Sequence, residues 1–312
     1  MPLTGLDAIA WAKVILALSV LVGASIADLR KRIVPDRFWI VLVGGGTGLL
    51  TIEILLLGPE RPLVTLLSLS MPAIALVFVV WGYPELGKAL KGSKEDLFFT
   101  GLYLLLLIGG ASSYLFGDRI VAGKVLYSFI FMVIYFGMYT FPLLGARLLH
   151  GGADAKCMMS LAALFPWYGE VLPISFGPFY DTLDRIELLE YISPVHLGVL
   201  INGAFVTVLF LAIALPIRNI LSGTFHPLRS WTSYWIGLDD VMRGHVWVIG
   251  EGGTGTDGKQ DPTPELVMEL RRKGVKRVRV TPKVPFILSL TVGLMVQVVL
   301  GNVVLAAMFL IG

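Results

Sequence analysis

Two aspartates lie at the ends of hydrophobic segments that are far apart in the chain. Asp28 ends the first apolar stretch, just before the basic run at 30–32, and Asp154 follows the small residues at 151–153. An ionisable residue at the edge of a membrane segment is costly, so it is a candidate functional residue. A pair of such carboxyls can hydrolyse a peptide bond, because one activates a water as base and the other polarises the carbonyl as acid.

Two carboxyl groups that converge in a fold share a proton and titrate as a unit. Either Asp28 or Asp154 can then act as the base, and the sequence does not assign the roles. Each residue also has an ordinary structural explanation. Asp28 is typical of a helix boundary followed by basic neighbours, and Asp154 is typical of a residue that caps a helix N-terminus.

The residues around the two aspartates have candidate supporting roles. Asp36, next to Pro35, is expected to cap the second hydrophobic helix, or else to hold the loop that carries Asp28. Lys156 is either a charge partner or a basic residue that marks the cytoplasmic side. Small residues let the backbone turn tightly and let helices approach closely; here they are Gly151, Gly152 and Ala153.

The composition indicates an all-α polytopic membrane protein. Of 312 residues, 56% are hydrophobic, and the mean hydropathy is +0.80. The net charge of +3 gives no reason to expect a nucleic-acid partner. The one cysteine, Cys157, excludes an intramolecular disulfide and a cysteine-rich zinc site. The histidines show no ligand spacing, so we expect no metal and no cofactor.

Eight apolar segments are long enough to be predicted as membrane spans. They lie at about 8–27, 38–57, 62–82, 97–117, 120–147, 155–169, 194–216 and 285–311. The membrane domain is therefore expected over 1–216, with a last transmembrane helix in 285–312. Trp39, Trp81, Trp167 and Trp231 are expected at the membrane interfaces.

Basic residues in short loops predict the orientation, since they concentrate on the cytoplasmic side. The loops after the first, third and fifth spans are basic, whereas the alternate loops are not. The basic residues are Arg30, Lys31, Arg32 and Arg37, then Lys88, Lys91 and Lys94, then Arg147 and Lys156. Both termini are therefore expected outside the cell membrane, with Asp28 and Asp154 facing the cytoplasm.

The segment 217–284 is predicted to form a small cytoplasmic α/β domain inserted before the last helix. It has 11 basic and 7 acidic residues. A helix is predicted over about 265–273, and 275–280 alternates apolar with basic residues as a half-exposed strand does. Its basic face is expected either to rest on anionic lipids or to be an ordinary solvated surface.

The two aspartate phrases resemble the active-site signatures of the prepilin and preflagellin peptidases, membrane aspartyl proteases of the GxGD type. Residues 25–36 match a phrase that runs from a small residue through Asp28 to Pro35-Asp36, and 151–156 match Gly-x-Gly-Asp-x-Lys except that Ala153 replaces a glycine. The resemblance implies that Asp28 and Asp154 are the catalytic dyad.

The lack of paired cysteines favours the archaeal branch of this family. The resemblance then implies substrates with a short basic leader peptide followed by a hydrophobic helix, either prepilins or preflagellins, cleaved at the cytoplasmic face. The chain departs from the familiar six-span archaeal pattern because four hydrophobic segments separate its two aspartates.

Two other classes of function also fit a membrane protein with acidic residues in its spans. An ion-coupled transporter would use the acids as proton relays. A non-catalytic scaffold for filament assembly would use the same helices to bind other helices. The position of both acids at one membrane face and the lack of a two-fold repeat favour the protease.

Overall fold

The structure is a computed structural model that describes residues 5–57, 59–81, 93–140, 152–166, 194–249, 259–303 and 307. Contacts between residues divide the chain into two units. The helical unit comprises 1–203 and 286–312, and the second unit comprises 204–285. The second unit thus contains the segment 217–284, together with the C-terminal part of the helix before it.

The helical unit is built mainly from long apolar helices. In chain order its helices are α1 (Gly5–Lys31), α2 (Arg37–Leu56), α3 (Pro62–Thr65), a 3₁₀ turn (Leu66–Leu69), α4 (Ser70–Trp81), α5 (Lys94–Phe116), α6 (Arg119–Thr140), α7 (Gly152–Leu164), the start of α8 (Val195–Leu221) and α10 (Phe286–Leu300). Within the described residues, six stretches are long and apolar enough to cross a membrane. The chain is therefore a polytopic α-helical membrane protein, as the composition predicted.

The short helix α7 lies at the centre of the helical unit. It packs against α2, α4 and α6, and nearly every side chain from Ala155 to Leu164 is buried. Its 13 residues span about 20 Å, less than the roughly 30 Å of a bilayer core. The described helix is thus shorter than the predicted membrane span over 155–169, whose part beyond 166 lies outside the described residues.

The other predicted spans differ from the observed helices mainly at their ends. The third predicted span is a helix interrupted by the 3₁₀ turn Leu66–Leu69, and the part of the fifth beyond Thr140 lies outside the described residues. Within the last predicted span, 285–311, α10 ends at Leu300 and Gly301 adopts a φ of 73°; residues 304–306 and 308–312 lie outside the described residues. A left-handed residue of this kind commonly ends a helix.

Polar side chains connect the helices of this unit inside the apolar core. The Ser25 and Thr291 hydroxyls are 2.8 Å apart and link α1 to α10. Ser128 of α6 donates to the carbonyl of Ala162 in α7 at 2.5 Å. Such bonds fix how helices are rotated against each other where lipid supplies no competing donors.

The second unit is built around a four-stranded antiparallel sheet with the strand order β1-β4-β2-β3. Its elements are β1 (Tyr234–Gly237), β2 (Val246–Ile249), β3 (Lys259–Gln260), α9 (Pro264–Arg272) and β4 (Arg277–Pro282). The predicted helix and basic strand are both confirmed within two residues. Thr263 caps α9 by accepting the Leu266 N–H, and Gly274 ends the following turn at a φ of 74°.

Candidate active site

Helix α1 ends in a tight turn that carries Asp28. The Arg32 N–H donates to the Asp28 carbonyl at 2.9 Å, and Arg32 itself has a φ of 54°. A non-glycine residue in this left-handed region is uncommon and reverses the chain after a helix. The turn brings the chain back into α2 within a few residues, so Asp28 and Asp36 are both at this end of the helical unit.

Asp36 occupies the residue before α2, as expected, but it does not cap the helix with its side chain. Its backbone is itself helical (φ −60°, ψ −22°), and the carboxylate accepts no cap hydrogen bond. A capping side chain needs an extended backbone to reach the first N–H groups. The prediction that Asp36 caps α2 is therefore wrong.

Helix α7 begins at Gly152, so Asp154 lies in its first turn. Ala153 is half-buried against the core of the helical unit, and Gly151 lies outside the described residues. A carboxylate in the first turn is favoured by the positive end of the helix dipole. Asp154 is half-buried, an environment between bulk water and the apolar core.

An ion pair joins the two aspartate motifs. The Lys156 Nζ donates to the Asp36 Oδ1 at 2.7 Å, and the two residues are 120 positions apart in sequence. The Lys156 side chain is only 20% exposed, compared with 51% for Asp36. The pair therefore fixes the start of α7 against the loop that follows α1.

Helices α2 and α7 run parallel from this ion pair. Further along both helices, Gly46 of α2 lies close to Leu164 of α7. A Cβ added to Gly46 would come within 3.2 Å of the Leu164 Cα. Contacts at Asp36–Lys156 and at Gly46–Leu164 are possible together only if both helices begin at the same end. Four span-length helices lie between α1 and α7. An even number of crossings returns the chain to the same side, so the end of α1 and the start of α7 are expected on one side.

Asp28 and Asp154 are thus carried by neighbouring helix ends. Asp28 lies in the last turn of α1 and Asp154 in the first turn of α7, and α1 contacts both α2 and α7. Both aspartates are half-buried. Two partly desolvated carboxyls on adjoining helix ends, near the Lys156–Asp36 ion pair, have the composition of an acid–base site.

One tryptophan next to this site is covered by protein. Trp39, in the first turn of α2, is fully buried in the core of the helical unit. Its indole Nε1 has no hydrogen-bond partner among the described residues. Hydropathy places a tryptophan near a helix end but does not reveal which face of the helix is covered by protein.

Two buried polar pairs were not found from the sequence. Lys13 of α1 and Glu53 of α2 form an ion pair at 2.5 Å, with side chains 0% and 9% exposed. The His196 Nδ1 lies 2.8 Å from the Tyr135 hydroxyl, and both residues are buried. Lone charges within apolar stretches were the available signal for Lys13 and Glu53. The histidine pair gives no comparable signal.

The helices and the site together define a multi-pass membrane protein with two aspartate motifs at adjoining helix ends. Over 164 residues the chain is 26% identical to the preflagellin peptidase of Methanococcus voltae. The match covers 50% of this chain and 66% of the relative, just under two thirds of its length. No family model matches the chain. The likeness confirms the resemblance to the archaeal preflagellin and prepilin peptidases.

Proposed function

We propose that this chain is a membrane aspartyl endopeptidase with Asp28 and Asp154 as its catalytic dyad. Its substrates are preflagellin-like or type IV prepilin-like precursors, and it removes their short basic leader peptides at the cytoplasmic face of the cell membrane. The 26% identity to a preflagellin peptidase supports a peptidase that acts on this kind of precursor.

The observation that carries the proposal is the Lys156–Asp36 ion pair. It links the segment that follows Asp28 to the segment that follows Asp154, although 120 residues separate the two ends of the bond. An isolated aspartate at a helix end is an ordinary boundary residue. Two such motifs joined by a partly buried ion pair are better explained by a shared site.

The proposed reaction needs no group beyond the two carboxyls and a water. One carboxylate takes a proton from the water as the water attacks the scissile carbonyl carbon, and the other carboxylic acid donates a hydrogen bond to the carbonyl oxygen. The resulting tetrahedral centre collapses as the leaving amine takes a proton from the carboxyl that received it from the water and the C–N bond breaks.

The site's position at helix ends suits a substrate that has a polar cleavage site next to a hydrophobic helix. The substrate helix would lie in the bilayer beside the enzyme's spans, while its leader meets the dyad where water is available. Several spans present apolar side chains outward that such a helix can contact; examples on α5 are Leu104, Leu105 and Ile108.

The test is leader processing in membranes, followed as a mobility shift of preflagellin and prepilin precursors. Asp28→Asn and Asp154→Asn should each lower the rate by roughly 10²–10⁴-fold, the usual contribution of an acid–base group. Glu265→Gln, which removes an exposed carboxylate from the second unit, is the matched control and should cleave normally. Full activity in either aspartate variant would remove that residue from the dyad.

A second candidate function is ion-coupled transport, which the buried Lys13–Glu53 pair favours. Ionisable residues inside membrane segments commonly mark ion pathways. In reconstituted vesicles a carrier would show proton-dependent flux that Glu53→Gln removes. The peptidase instead predicts precursor cleavage and no such flux.

A further inference from the structure

The second unit contains a cavity of about 340 Å³ at the C-terminal end of α8. The residues that line it come from the end of α8, from the following loop and from strands β1 and β4. They are Asn219, Gly223, Thr224, Phe225, His226, Arg229, Ser230, Ser233, Trp235 and Arg279. The peptidase proposal assigns no role to any of them.

The cavity lining is basic. It includes two arginines, Arg229 and Arg279, and one histidine, whereas none of its described lining residues is acidic. The His226 Nδ1 accepts the Leu228 N–H at 3.4 Å. A neutral His226 therefore carries its proton on Nε2 and is also a donor. Arginine forks and imidazole N–H groups are the donors that bind phosphate oxygens in proteins.

The donor groups are held in place by the fold. The Arg279 Nε donates to the Ser233 Oγ at 2.6 Å, and its Nη2 donates to the Arg229 carbonyl at 3.3 Å. The buried Asn219 amide donates to the carbonyls of Ser230 and Ser233 at 3.1 and 2.8 Å. A site whose arginine is already oriented loses less conformational entropy when it binds a ligand.

Three carbonyl groups at the end of α8, next to the cavity, accept hydrogen bonds from the turn that follows. The N–H groups of Ser222, Gly223 and Thr224 donate to the carbonyls of Arg218, Ile220 and Asn219 at 2.9–3.0 Å. These bonds satisfy acceptors that would otherwise repel an anion at a helix C-terminus. The cavity is therefore suited to an anion despite lying at that end of α8.

Exposed apolar side chains connect the cavity to a face of α8. Ile213, Ile217 and Ile220 lie at helical spacing and are at least half exposed. Leu221, Leu228 and Trp231, which are close in sequence to lining residues, are also exposed, as is the lining residue Phe225. Because α8 is apolar and long enough to cross a membrane and ends at Leu221, we expect these residues near the point where that helix leaves the bilayer. Aromatic residues beside basic ones are typical of the headgroup layer.

We propose that this cavity binds the phosphate of an anionic phospholipid headgroup. Arg229, Arg279 and His226 hold the phosphate oxygens, while Leu221, Leu228 and Trp231 contact the upper part of the acyl chains. The arginines disfavour a zwitterionic headgroup, whose cationic choline would meet them. The site thereby anchors the second unit to the membrane surface, independently of whether the chain cleaves precursors.

Equilibrium binding to the purified full-length chain in a neutral maltoside detergent tests this proposal. The probes are dihexanoylphosphatidylglycerol, dihexanoylphosphatidylcholine and inorganic phosphate. The Arg229→Gln/Arg279→Gln variant should raise the Kd for phosphatidylglycerol about tenfold or more, as expected for lost charge-assisted bonds. Arg243→Gln/Arg272→Gln removes the same charge from exposed positions outside the lining and should leave the Kd within about twofold.

Each outcome decides the proposal. Equal losses in the two double variants would mean diffuse charge attraction and would overturn it, as would no loss in the cavity variant. Phosphate binding as tight as phosphatidylglycerol binding, and equally sensitive to Arg229 and Arg279, would assign the site to free phosphate instead of lipid. The single variant Arg229→Gln changes an exposed side chain and leaves the bonds of the Arg279 side chain in place. It therefore repeats the test without disturbing the fold.

Discussion

The Lys156–Asp36 pair is the residue-scale feature on which the candidate site depends. A surface ion pair contributes roughly 0–1 kcal/mol to stability, because water screens it and two long side chains lose freedom. The Lys156 side chain is 20% exposed. Loss of the ion pair should therefore mainly change the position of the α7 N-terminus. The pair is better understood as a positioning contact than as a source of stability.

We predict that Lys156→Met lowers precursor cleavage at least about tenfold while moving the unfolding temperature by only a few degrees. Asp36→Asn should have the same effect, because either change releases α7 from the loop after α1. Cleavage assays and thermal unfolding in detergent measure the two effects. The exchanged variant Asp36→Lys/Lys156→Asp should recover part of the activity that the single variants lose.

The matched control is Lys273→Met, which breaks the exposed Lys273–Glu269 pair in the second unit. It should leave cleavage unchanged. If Lys156→Met were as active as this control, the ion pair would have no part in positioning the site.

The Lys13–Glu53 pair should behave in the opposite way, because it is buried. Removing one partner leaves an uncompensated charge in an apolar core, which typically costs about 3–5 kcal/mol. We therefore expect Lys13→Met and Glu53→Gln each to lower the unfolding temperature strongly. The double variant Lys13→Met/Glu53→Gln should regain most of the loss, and equal instability of all three variants would contradict this role.

At the scale of elements, α7 positions the site through close packing with α2. Gly46 is buried at the crossing with Leu164, whereas Gly44 has no atom within 4 Å of an added Cβ. A larger side chain at Gly46 must push α7 away from α2, since a Cβ there already approaches the Leu164 backbone. The same side chain at Gly44 points into open space.

We predict that Gly46→Leu lowers cleavage about tenfold or more and also destabilises the chain by about 1–3 kcal/mol through overpacking. Gly44→Leu, on the same helix, should leave both quantities close to those of wild type. Rates of precursor cleavage and unfolding temperatures measure the difference. Similar behaviour of the two leucine variants would mean that the α2–α7 contact does not control the site.

The sequence predicted the long helices well but not the packing between them. Six of the eight spans predicted from apolar length are membrane-length helices in the described part of the chain, and periodicity found α9 and β4, since these signals are local. Hydropathy did not reveal that α7 is enclosed by other helices, because a fully buried helix is as apolar as a lipid-exposed one. The burial of Trp39 was missed for the same reason.

The candidate site was predictable in its residues and only partly in its geometry. The sequence motifs selected Asp28 and Asp154. The even number of spans between them predicted that their helix ends lie on one membrane face. Asp36 was predicted to cap α2, but its carboxylate instead bonds to Lys156, 120 residues away in sequence. No local pattern could choose between those two uses of one carboxylate.

At the scale of the whole molecule, the chain combines a helical membrane unit with a sheet-containing unit inserted before the last helix. The loop charges predict that this second unit, Asp28 and Asp154 all lie on the cytoplasmic side. The direction of a membrane protein is set by basic residues in short loops, and the loops here alternate in charge. That orientation determines whether the proposed dyad can meet a leader peptide made in the cytoplasm.

Labelling with a membrane-impermeant thiol reagent can test this orientation with little background. Cys157 is the one cysteine in the chain and is buried, so wild type should not react in intact cells. Ile120→Cys, at an exposed position near the start of α6, should react in intact cells because its loop is predicted outside. Glu265→Cys, exposed on α9, should react only after the cells are opened. Reaction of Glu265→Cys in intact cells would place the second unit outside the membrane. Failure of Ile120→Cys to react there would leave the proposed dyad on the wrong side of the membrane for its substrate.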